Sequence, residues 1–251
     1  MEGMRCNNTF MKPYTDLAPA YDSMLRHVDY EKWYQYLKSI MHNFILEPGL
    51  LLELGCGTGR FGAKFSRDDY NIYGMDRSIE MLRVARARAF KNFHIFCGDI
   101  TRYSLKQKFD FIFSVHDTMN YLTSIDDIRK VLRHTREVMN RYSIFMFDMT
   151  SEYNILNNFD GKTTRYTSGG TRILWDNEYD EKKKLVYSYL TFQKPDGTSS
   201  METHVQRIYE VDEIEPIIRE EKLELIDVFS DYTFAPVYDK TVMSNFVLRK
   251  R

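Results

Sequence analysis

The sequence predicts an α/β fold in which a doubly wound, mostly parallel sheet is interrupted once by a small antiparallel β insertion. Two observations predict it. Up to about residue 155, short apolar segments alternate with amphipathic helical patterns, as expected for parallel strands joined by crossover helices. From about residue 163 to residue 209, strand patterns follow one another with turns between them, and the alternation then returns.

The first part of the chain supplies most of the predicted sheet. Apolar residues spaced three and four positions apart predict a helix over residues 28–44. Ser78 and Ser124 are placed to cap two further helices. Five buried strands are predicted, at residues 49–54, 71–75, 93–97, 109–115 and 142–149.

The insertion is predicted as strands separated by a lysine-rich hairpin tip and a Pro-Asp-Gly turn, at residues 172–179, 185–192 and 202–209. A helix and two strands then complete the chain, at residues 211–221, 223–229 and 245–249. These patterns divide the chain into an N-terminal helical cap, a core in two parts and an inserted antiparallel subdomain, at residues 1–45, 46–155 with 210–251, and 156–209.

Composition and charge narrow the function before any motif is considered. The chain has 251 residues, of which 35 are basic and 36 acidic, so its net charge is −1. Nucleic-acid binders usually carry a basic excess, so nucleic acid is disfavoured as a substrate, although a local basic groove is compatible with this total. The cysteines Cys6, Cys56 and Cys97 lack CxxC spacing, which indicates a reducing compartment without disulfides.

Targeting signals are missing from the sequence pattern. Residues 1–12 have no apolar core of signal-peptide length, and no apolar run is long enough to cross a bilayer. We therefore expect a soluble cytoplasmic protein without a membrane partner. Its oligomeric state is expected to be a monomer or a homodimer.

A glycine-rich turn follows the first predicted strand, in Leu52-Glu-Leu-Gly-Cys-Gly-Thr-Gly59. Glycine has no Cβ, so backbone N–H groups in such a turn can approach a ligand closely. Acids stand at the carboxyl ends of the first three strands. Glu53 suits the ammonium of a methionine moiety, Asp76 suits two ribose hydroxyls, and Asp99 suits an exocyclic adenine amine.

A dinucleotide site is the competing interpretation of the same turn. Residues 57–62 fit GxGxxG, and Asp76 follows at about the expected distance. However, Gly55 and Glu53 have no role in a pyrophosphate turn, and a carboxylate before the turn would repel a diphosphate. Asp99 is also unexplained by a dinucleotide. These three residues favour the adenosine and methionine interpretation.

These segments resemble the class I S-adenosylmethionine-dependent methyltransferases over nearly the whole chain. The glycine turn matches the first motif of that family, residues 75–82 match its ribose segment, and Gly98-Asp-Ile100 matches its adenine segment. The resemblance implies a seven-stranded sheet with an antiparallel last strand, and S-adenosylmethionine as cofactor with S-adenosylhomocysteine as product. It also implies the cofactor-binding residues Tyr21, Glu53, Gly55, Cys56, Gly57, Gly59, Asp76, Arg77, Met81, Asp99, Ile100 and Ser114.

More narrowly, the chain is similar to a branch with an inserted β subdomain that includes glycine/sarcosine and amino-sugar N-methyltransferases. The residues that carry this similarity are Tyr14, Tyr21-Asp22, Trp175 and the segments 28–33, 117–121 and 202–209. The resemblance implies that the insertion lies over the substrate site. One departure is Asn140-Arg-Tyr142, where the family usually has paired glycines, so the geometry of that turn is in doubt.

The loop after the fourth strand is expected to open beside the transferred methyl group. Position favours His116, Asp117 and Tyr121 as catalytic candidates. Helix capping for Asp117 and ring packing for the other two are the alternatives. Asp117 and Asp148 are too few acids for a metal site, so no metal is predicted. Candidate substrate contacts are Asn120, Tyr14, His204 and Arg207, with loop capping or an edge-strand surface role as alternatives for Asn120, His204 and Arg207.

The function favoured by the sequence is methyl transfer to a nitrogen or oxygen of a small molecule, with an amine, an amino acid or an amino sugar as acceptor. An RNA or protein methyltransferase is the first alternative, and a continuous basic groove beside the cofactor would favour it. A binding protein that holds the cofactor without chemistry is the second. Turnover would separate an enzyme from that binding protein.

Overall fold

The computed structural model describes residues 9–251, so Cys6 and the first eight residues of the predicted N-terminal cap lie outside the described part. The strands are β1 (Thr9–Met11), β2 (Leu50–Leu54), β3 (Asn71–Asp76), β4 (Phe93–Cys97), β5 (Phe109–Ser114), β6 (Met139–Thr150), β7 (Thr163–Ser168), β8 (Thr171–Asp180), β9 (Leu185–Gln193), β10 (Ser199–Arg207), β11 (Leu223–Ser230) and β12 (Met243–Lys250). The α-helices are α1 (Ala18–Met24), α2 (Tyr30–Phe44), α3 (Arg60–Arg67), α4 (Ile79–Arg86), α5 (Ile125–Val138), α6 (Glu152–Asn154) and α7 (Val211–Glu220). A 3-10 turn and a π-helical turn lie at Thr118–Tyr121 and Ile155–Phe159.

The main sheet has seven strands in the order β11-β12-β6-β5-β2-β3-β4. Strands β2 to β6 pair in parallel, and β12 runs antiparallel to both of its neighbours. This arrangement confirms the predicted doubly wound fold with an antiparallel last strand. Within residues 9–251, no helix has the length and apolarity needed to span a membrane.

Helices cover both faces of this sheet because successive side chains of a strand point to opposite sides. On one face, Leu52 belongs to a core that contains Ile128 of α5. On the other, its neighbour Leu51 belongs to a core with Leu37 of α2 and Phe65 of α3. The near-continuous apolar sequence of β2 is therefore explained by burial on two sides.

The inserted sheet has five strands in the order β1-β10-β9-β8-β7. Strands β7 to β10 pair antiparallel, as predicted for the insertion, but β7 adds a strand before the three that the sequence indicated. The fifth strand, β1, comes from the N-terminal segment and pairs in parallel with β10, with Thr9 opposite Ser200. Three residues are too few to show a period, so only the long-range pairing defines β1.

Strand β6 begins at Met139, three residues before its predicted start. Its pairing with β5 shifts register between Phe109 and Phe111. The Ser143 hydroxyl bridges this irregularity, because it donates to Phe109 O and accepts from Asn140 N, each at 2.6 Å. The turn without paired glycines is thus closed by a serine side chain.

Candidate active site

A cavity of about 470 Å³ opens at the carboxyl ends of β2, β3 and β4, and we call it the strand-end cavity. Its volume lies in the range of small-molecule sites. Strands that run in parallel bring these ends to one edge of the sheet, so motifs far apart in sequence meet there. The predicted cofactor-binding residues that line it are Tyr21, Gly55, Gly57, Asp76, Arg77, Met81, Asp99 and Ile100.

The glycine turn needs glycine for two different reasons. Gly55, Gly57 and Gly59 all have positive φ, at 74°, 52° and 75°, which side chains rarely adopt. A Cβ on Gly55 would also lie 2.4 Å from Thr118 Cγ2. Gly59 does not line the cavity, and its Cβ would instead meet Phe93, so its role is close helix–strand packing.

Asp76 both shapes the turn and faces the cavity. Its two carboxylate oxygens accept hydrogen bonds from Gly57 N and Ser78 N, each at 2.8 Å. A carboxylate has about four acceptor sites, so capacity remains for two ligand hydroxyls. Burial raises the pKa of Asp76 above its ordinary value.

Asp99 caps the turn that follows β4. Its Oδ1 accepts from both the backbone N–H and the hydroxyl of Thr101, at 2.8 and 2.7 Å. Its other oxygen, Oδ2, has only a long contact of 3.4 Å with Arg102. Asp99 therefore presents a carboxylate oxygen at the cavity wall, where an exocyclic amine could donate.

Besides Gly59, three predicted cofactor-binding residues are not brought to the cavity wall: Glu53, Cys56 and Ser114. Glu53 is 2% exposed, and its Oε2 accepts from Gly62 N at 3.0 Å, so it supports the start of α3. Burial raises the pKa of this carboxyl well above its ordinary range. Cys56 is buried near Gly74, and the Ser114 hydroxyl donates to Leu54 O.

A second cavity of about 400 Å³ lies between the core and the inserted sheet, and we call it the roofed cavity. Side chains at alternate positions of β8, β9 and β10 form its roof, as a single face of a sheet requires. Four side chains line both cavities: Tyr14, Tyr21, His116 and Tyr121. The roof residues are Trp175, Asn177, Val186, Ser188, Leu190, His204 and Gln206.

The loop after β5 is held in an unusual conformation by Asp148. His116 and Asp117 both have positive φ, at 64° and 51°, a region disfavoured for non-glycine residues. Asp148 accepts from His116 N and Asp117 N, each at 2.7 Å, and from the Tyr232 hydroxyl. Asp148 thus supports the loop, and residues 9–251 contain no group of three His, Cys, Asp or Glu side chains placed to bind a metal.

Burial sets the protonation of the loop side chains. It lowers the pKa of His116 to about 4 and raises the pKa of Asp117 to about 6. At neutral pH the imidazole is therefore neutral and Asp117 is mostly ionised. Gln206 Nε2 donates to Asp117 Oδ2 at 2.7 Å, and His116 Nδ1 lies 2.8 Å from the Tyr21 hydroxyl.

A buried hydrogen-bonded chain joins the N-terminal segment to the roof. The Tyr14 hydroxyl donates to the Tyr121 hydroxyl at 2.6 Å, and the latter lies 3.0 Å from His204 Nδ1. His204 Nε2 lies 3.0 Å from Glu202, which is fully buried. Glu202 also accepts from the backbone N–H groups of Tyr14, Asp16 and Leu17.

Glu202 was not predicted as a site residue. Charged residues on a strand are normally assigned to the solvent face, so Glu202 was not expected to be buried. The signal that could have found it is alternation, because Glu202, His204 and Gln206 stand at every second position of β10.

Two predicted substrate contacts, Asn120 and Arg207, are not brought to either cavity. Asn120 is buried, and its amide donates to Arg207 O at 2.8 Å and accepts from Thr150 N at 2.9 Å. The Arg207 guanidinium pairs with Glu213 of α7 at 2.5 Å. Arg207 follows the roof residue Gln206, so it points to the opposite face of the sheet.

Comparison with known proteins agrees with this geometry. A family profile described as methyltransferase domain matches residues 51–141. The YqeM protein of Bacillus subtilis (strain 168), which is named as a methyltransferase, is 25% identical over 88% of this chain and 90% of its own length.

Solved structures extend the similarity to the inserted sheet. A S-adenosylmethionine-dependent methyltransferase from Clostridium acetobutylicum ATCC 824 superposes with a TM-score of 0.82 and 26% identity, over 94% of this chain and 98% of that one. The sugar N-methyltransferase KedS8 from Streptoalloteichus sp ATCC 53650 shares the fold, with a TM-score of 0.75 at 14% identity over 92% of each chain. The chain therefore contains a methyltransferase domain at residues 51–141 and has the fold of S-adenosylmethionine-dependent methyltransferases.

Proposed function

We propose that this enzyme transfers a methyl group from S-adenosylmethionine to a nitrogen or oxygen of a small molecule, such as an amine, an amino acid or an amino sugar. The observation that carries the proposal is the pair of cavities that share Tyr14, Tyr21, His116 and Tyr121. A donor in one cavity and an acceptor in the other would meet at this shared wall. Alignment of two reactants in this way supplies much of the acceleration in a displacement reaction.

The residues of the strand-end cavity fit the cofactor. The Gly55 and Gly57 backbone leaves room for close approach, and Asp76 and Asp99 offer carboxylate oxygens at the ends of neighbouring strands. In this proposal Asp76 binds the ribose, Asp99 the adenine amine, and Tyr21 lies toward the methionine end. When bound, S-adenosylmethionine supplies a methyl group that leaves its sulfur as the acceptor lone pair forms the new bond.

Asp117 is proposed to receive the proton of an amine acceptor. An ammonium has no lone pair, so it must lose a proton before it can accept a methyl group. Gln206 holds Oδ2 of Asp117, and within the described residues Oδ1 has no hydrogen-bond donor. An ionised Asp117 can bind the ammonium through Oδ1 and take its proton, while Tyr121 orients the neutral amine.

The inserted roof favours a small acceptor over RNA or protein. Strands β8, β9 and β10 cover the roofed cavity, and its volume of about 400 Å³ suits a small molecule. The similarity to KedS8, which is named as a sugar N-methyltransferase, supports the same class of acceptor.

A homocysteine-release assay over amines, amino acids and amino sugars tests this proposal. Calorimetry first establishes that S-adenosylhomocysteine binds and that NAD does not. We expect at least one small-molecule class to release product above the rate without acceptor. Methylation of RNA or protein, with no release from any small molecule, would overturn the proposal. Cofactor binding without turnover on any acceptor would indicate a binding protein.

A further inference from the structure

The two cavities differ in fixed charge. Arg77, Arg102 and Lys130 line the strand-end cavity together with acids. Among the described residues that line the roofed cavity, Asp117 is the one carboxylate, and neither lysine nor arginine is present. Its other titratable side chains are histidines and tyrosines: His27, His116, His204, Tyr14, Tyr21 and Tyr121.

Two arginines, Arg207 and Arg60, are paired with carboxylates and do not line the roofed cavity. Arg207, at the end of β10, pairs with Glu213 at 2.5 Å and lies over the ring of Tyr209. Arg60 pairs with Asp22 at 2.8 Å. An anionic group inside the roofed cavity would therefore face Asp117 without a guanidinium or ammonium partner. Burial of an unpaired charge is strongly unfavourable.

The wall near Asp117 suits a cation. The rings of Tyr14, Tyr21, Trp33 and Tyr121 line the same cavity. Aromatic faces attract ammonium groups, and they do so most strongly where water is excluded. One carboxylate among aromatic rings is an arrangement that favours a protonated amine.

The far end of the roof is neutral. His204 pairs with Ser188 across β10 and β9, and Ser188 pairs with Asn177 across β9 and β8. Neighbouring strands lie about 4.8 Å apart, so Asn177 is about 10 Å from His204. Trp175 is on the same face as Asn177, and its buried indole N–H has no partner among the described residues. This end offers neutral hydrogen bonds to a hydroxyl or ether oxygen.

We propose, on the basis of the function proposed above, that the acceptor is an amine whose portion inside the roofed cavity carries no carboxylate or phosphate. The ammonium lies at Asp117, and a neutral body about 10 Å long extends beneath β9 and β8. An α-amino acid is then a poor acceptor, because its carboxylate would lie beside Asp117. A phosphorylated amino sugar is a poor acceptor for the same reason.

Pairs of acceptors that differ in one anionic group test whether the roofed cavity excludes negative charge. The homocysteine-release assay compares tyramine with tyrosine, histamine with histidine, and glucosamine with glucosamine 6-phosphate. Tyrosine amide serves as the control for size, because it replaces the carboxylate with a neutral group. We expect kcat/KM for the anionic member of an active pair to be lower by at least ~10-fold, and tyrosine amide to behave like tyramine rather than tyrosine.

A cation added at the cavity should reverse this preference. Asn158 is exposed and lines the roofed cavity, so Asn158→Lys places an ammonium at its rim, with the loss of one hydrogen bond from Asn158 Nδ2 to Asn154 Oδ1. We expect this variant to raise kcat/KM for the anionic members relative to the amines. Asn157→Lys is the matched control, because Asn157 is exposed and does not line the cavity.

The outcomes separate this inference from the proposed function. Equal or better turnover of the anionic members overturns the inference and leaves small-molecule methylation standing. No release from any member, with S-adenosylhomocysteine bound, overturns the proposed function, and the inference falls with it. A preference for amines that Asn158→Lys reverses and Asn157→Lys does not supports both.

Discussion

The strand-end cavity and the roofed cavity are built in different ways. The first collects short segments that each follow a strand of the parallel sheet, such as residues 55–57, 76–81 and 98–102. The second joins the N-terminal segment, the loop after β5 and three inserted strands, with hydrogen bonds between residues as far apart as Tyr14 and Glu202. Local motifs therefore define the strand-end cavity, and long-range pairing defines the roofed cavity.

The largest expected effect is a loss of cofactor affinity after a change in the strand-end cavity alone. Asp76→Ala removes two hydrogen bonds to a charged acceptor, each worth about 1.5–3 kcal/mol, so the Kd for S-adenosylhomocysteine should rise by roughly 10²–10⁴-fold. Calorimetry measures this change. Asp126→Ala, on the exposed start of α5, is the control and should bind normally. Unchanged affinity in Asp76→Ala would show that the cofactor lies elsewhere.

The second prediction concerns a change in the roofed cavity that leaves the strand-end cavity unaltered. Asp117→Asn cannot accept a proton, so kcat on an amine should fall by at least ~10²-fold, the low end for a general base. Asp117 does not line the strand-end cavity, and cofactor affinity should therefore change little. Steady-state kinetics and calorimetry together check both statements. Full activity in this variant would leave alignment as the source of catalysis.

Tyr121→Phe is a related and less selective change, because Tyr121 lines both cavities. It removes the hydroxyl that joins Tyr14 to His204. We expect kcat to fall by at least ~10²-fold, as for a group that positions the reacting amine. Steady-state kinetics on the same acceptor measures this fall. A normal kcat would indicate that Tyr121 contributes only the packing of its ring.

The pH dependence sharpens the comparison further. Burial raises the pKa of Asp117 to about 6, so its ionised fraction falls roughly tenfold for each pH unit below that value. The kcat for an amine should therefore decrease as the pH falls through about 6. Burial also raises the pKa of Asp148 to about 7, so the pH profile of the wild-type enzyme alone does not distinguish the two carboxyls. Asp117→Asn should lose the decrease near pH 6, and its persistence would assign that decrease to Asp148 or to another group.

The sequence was sufficient to predict where most of the strand-end cavity lies, because strand order and the conformational freedom of glycine act locally. Asp76 and Asp99 follow strands of a parallel sheet, so their placement at one edge could be predicted. The direction in which a side chain points could not be predicted. Glu53 and Ser114 were expected to line the cavity, but both are buried in the protein interior. That distinction depends on the twist and register of the assembled sheet.

At the roofed cavity, the sequence predicted the position of the loop after β5 but not the residues that support it. His116, Asp117 and Tyr121 are at the roofed cavity, as their position after β5 indicated. Asp148 accepts from the backbone N–H groups of this loop, and Glu202 accepts from those of the N-terminal segment, in both cases from residues distant in sequence. Alternation along β10 could have indicated that Glu202 faces inward, but backbone partners leave no residue-type signal, so the contacts themselves are seen in the folded chain.

The smallest predicted effect tests whether the roofed cavity depends on its long-range assembly. Glu202→Gln keeps the shape of the side chain but replaces one acceptor oxygen with a donor that faces backbone N–H groups. A loss of about 1.5–3 kcal/mol in the free energy of unfolding is expected, which for a chain of this size lowers Tm by roughly 3–12 °C. Because Glu202 positions Tyr14 and His204, the acceptor KM should also rise several-fold, by more than the cofactor Kd. Glu178→Gln, at an exposed position of β8, is the matched control and should change neither quantity. A drop in Tm with an unchanged acceptor KM would limit Glu202 to stability, and the acceptor site would then be independent of the N-terminal segment.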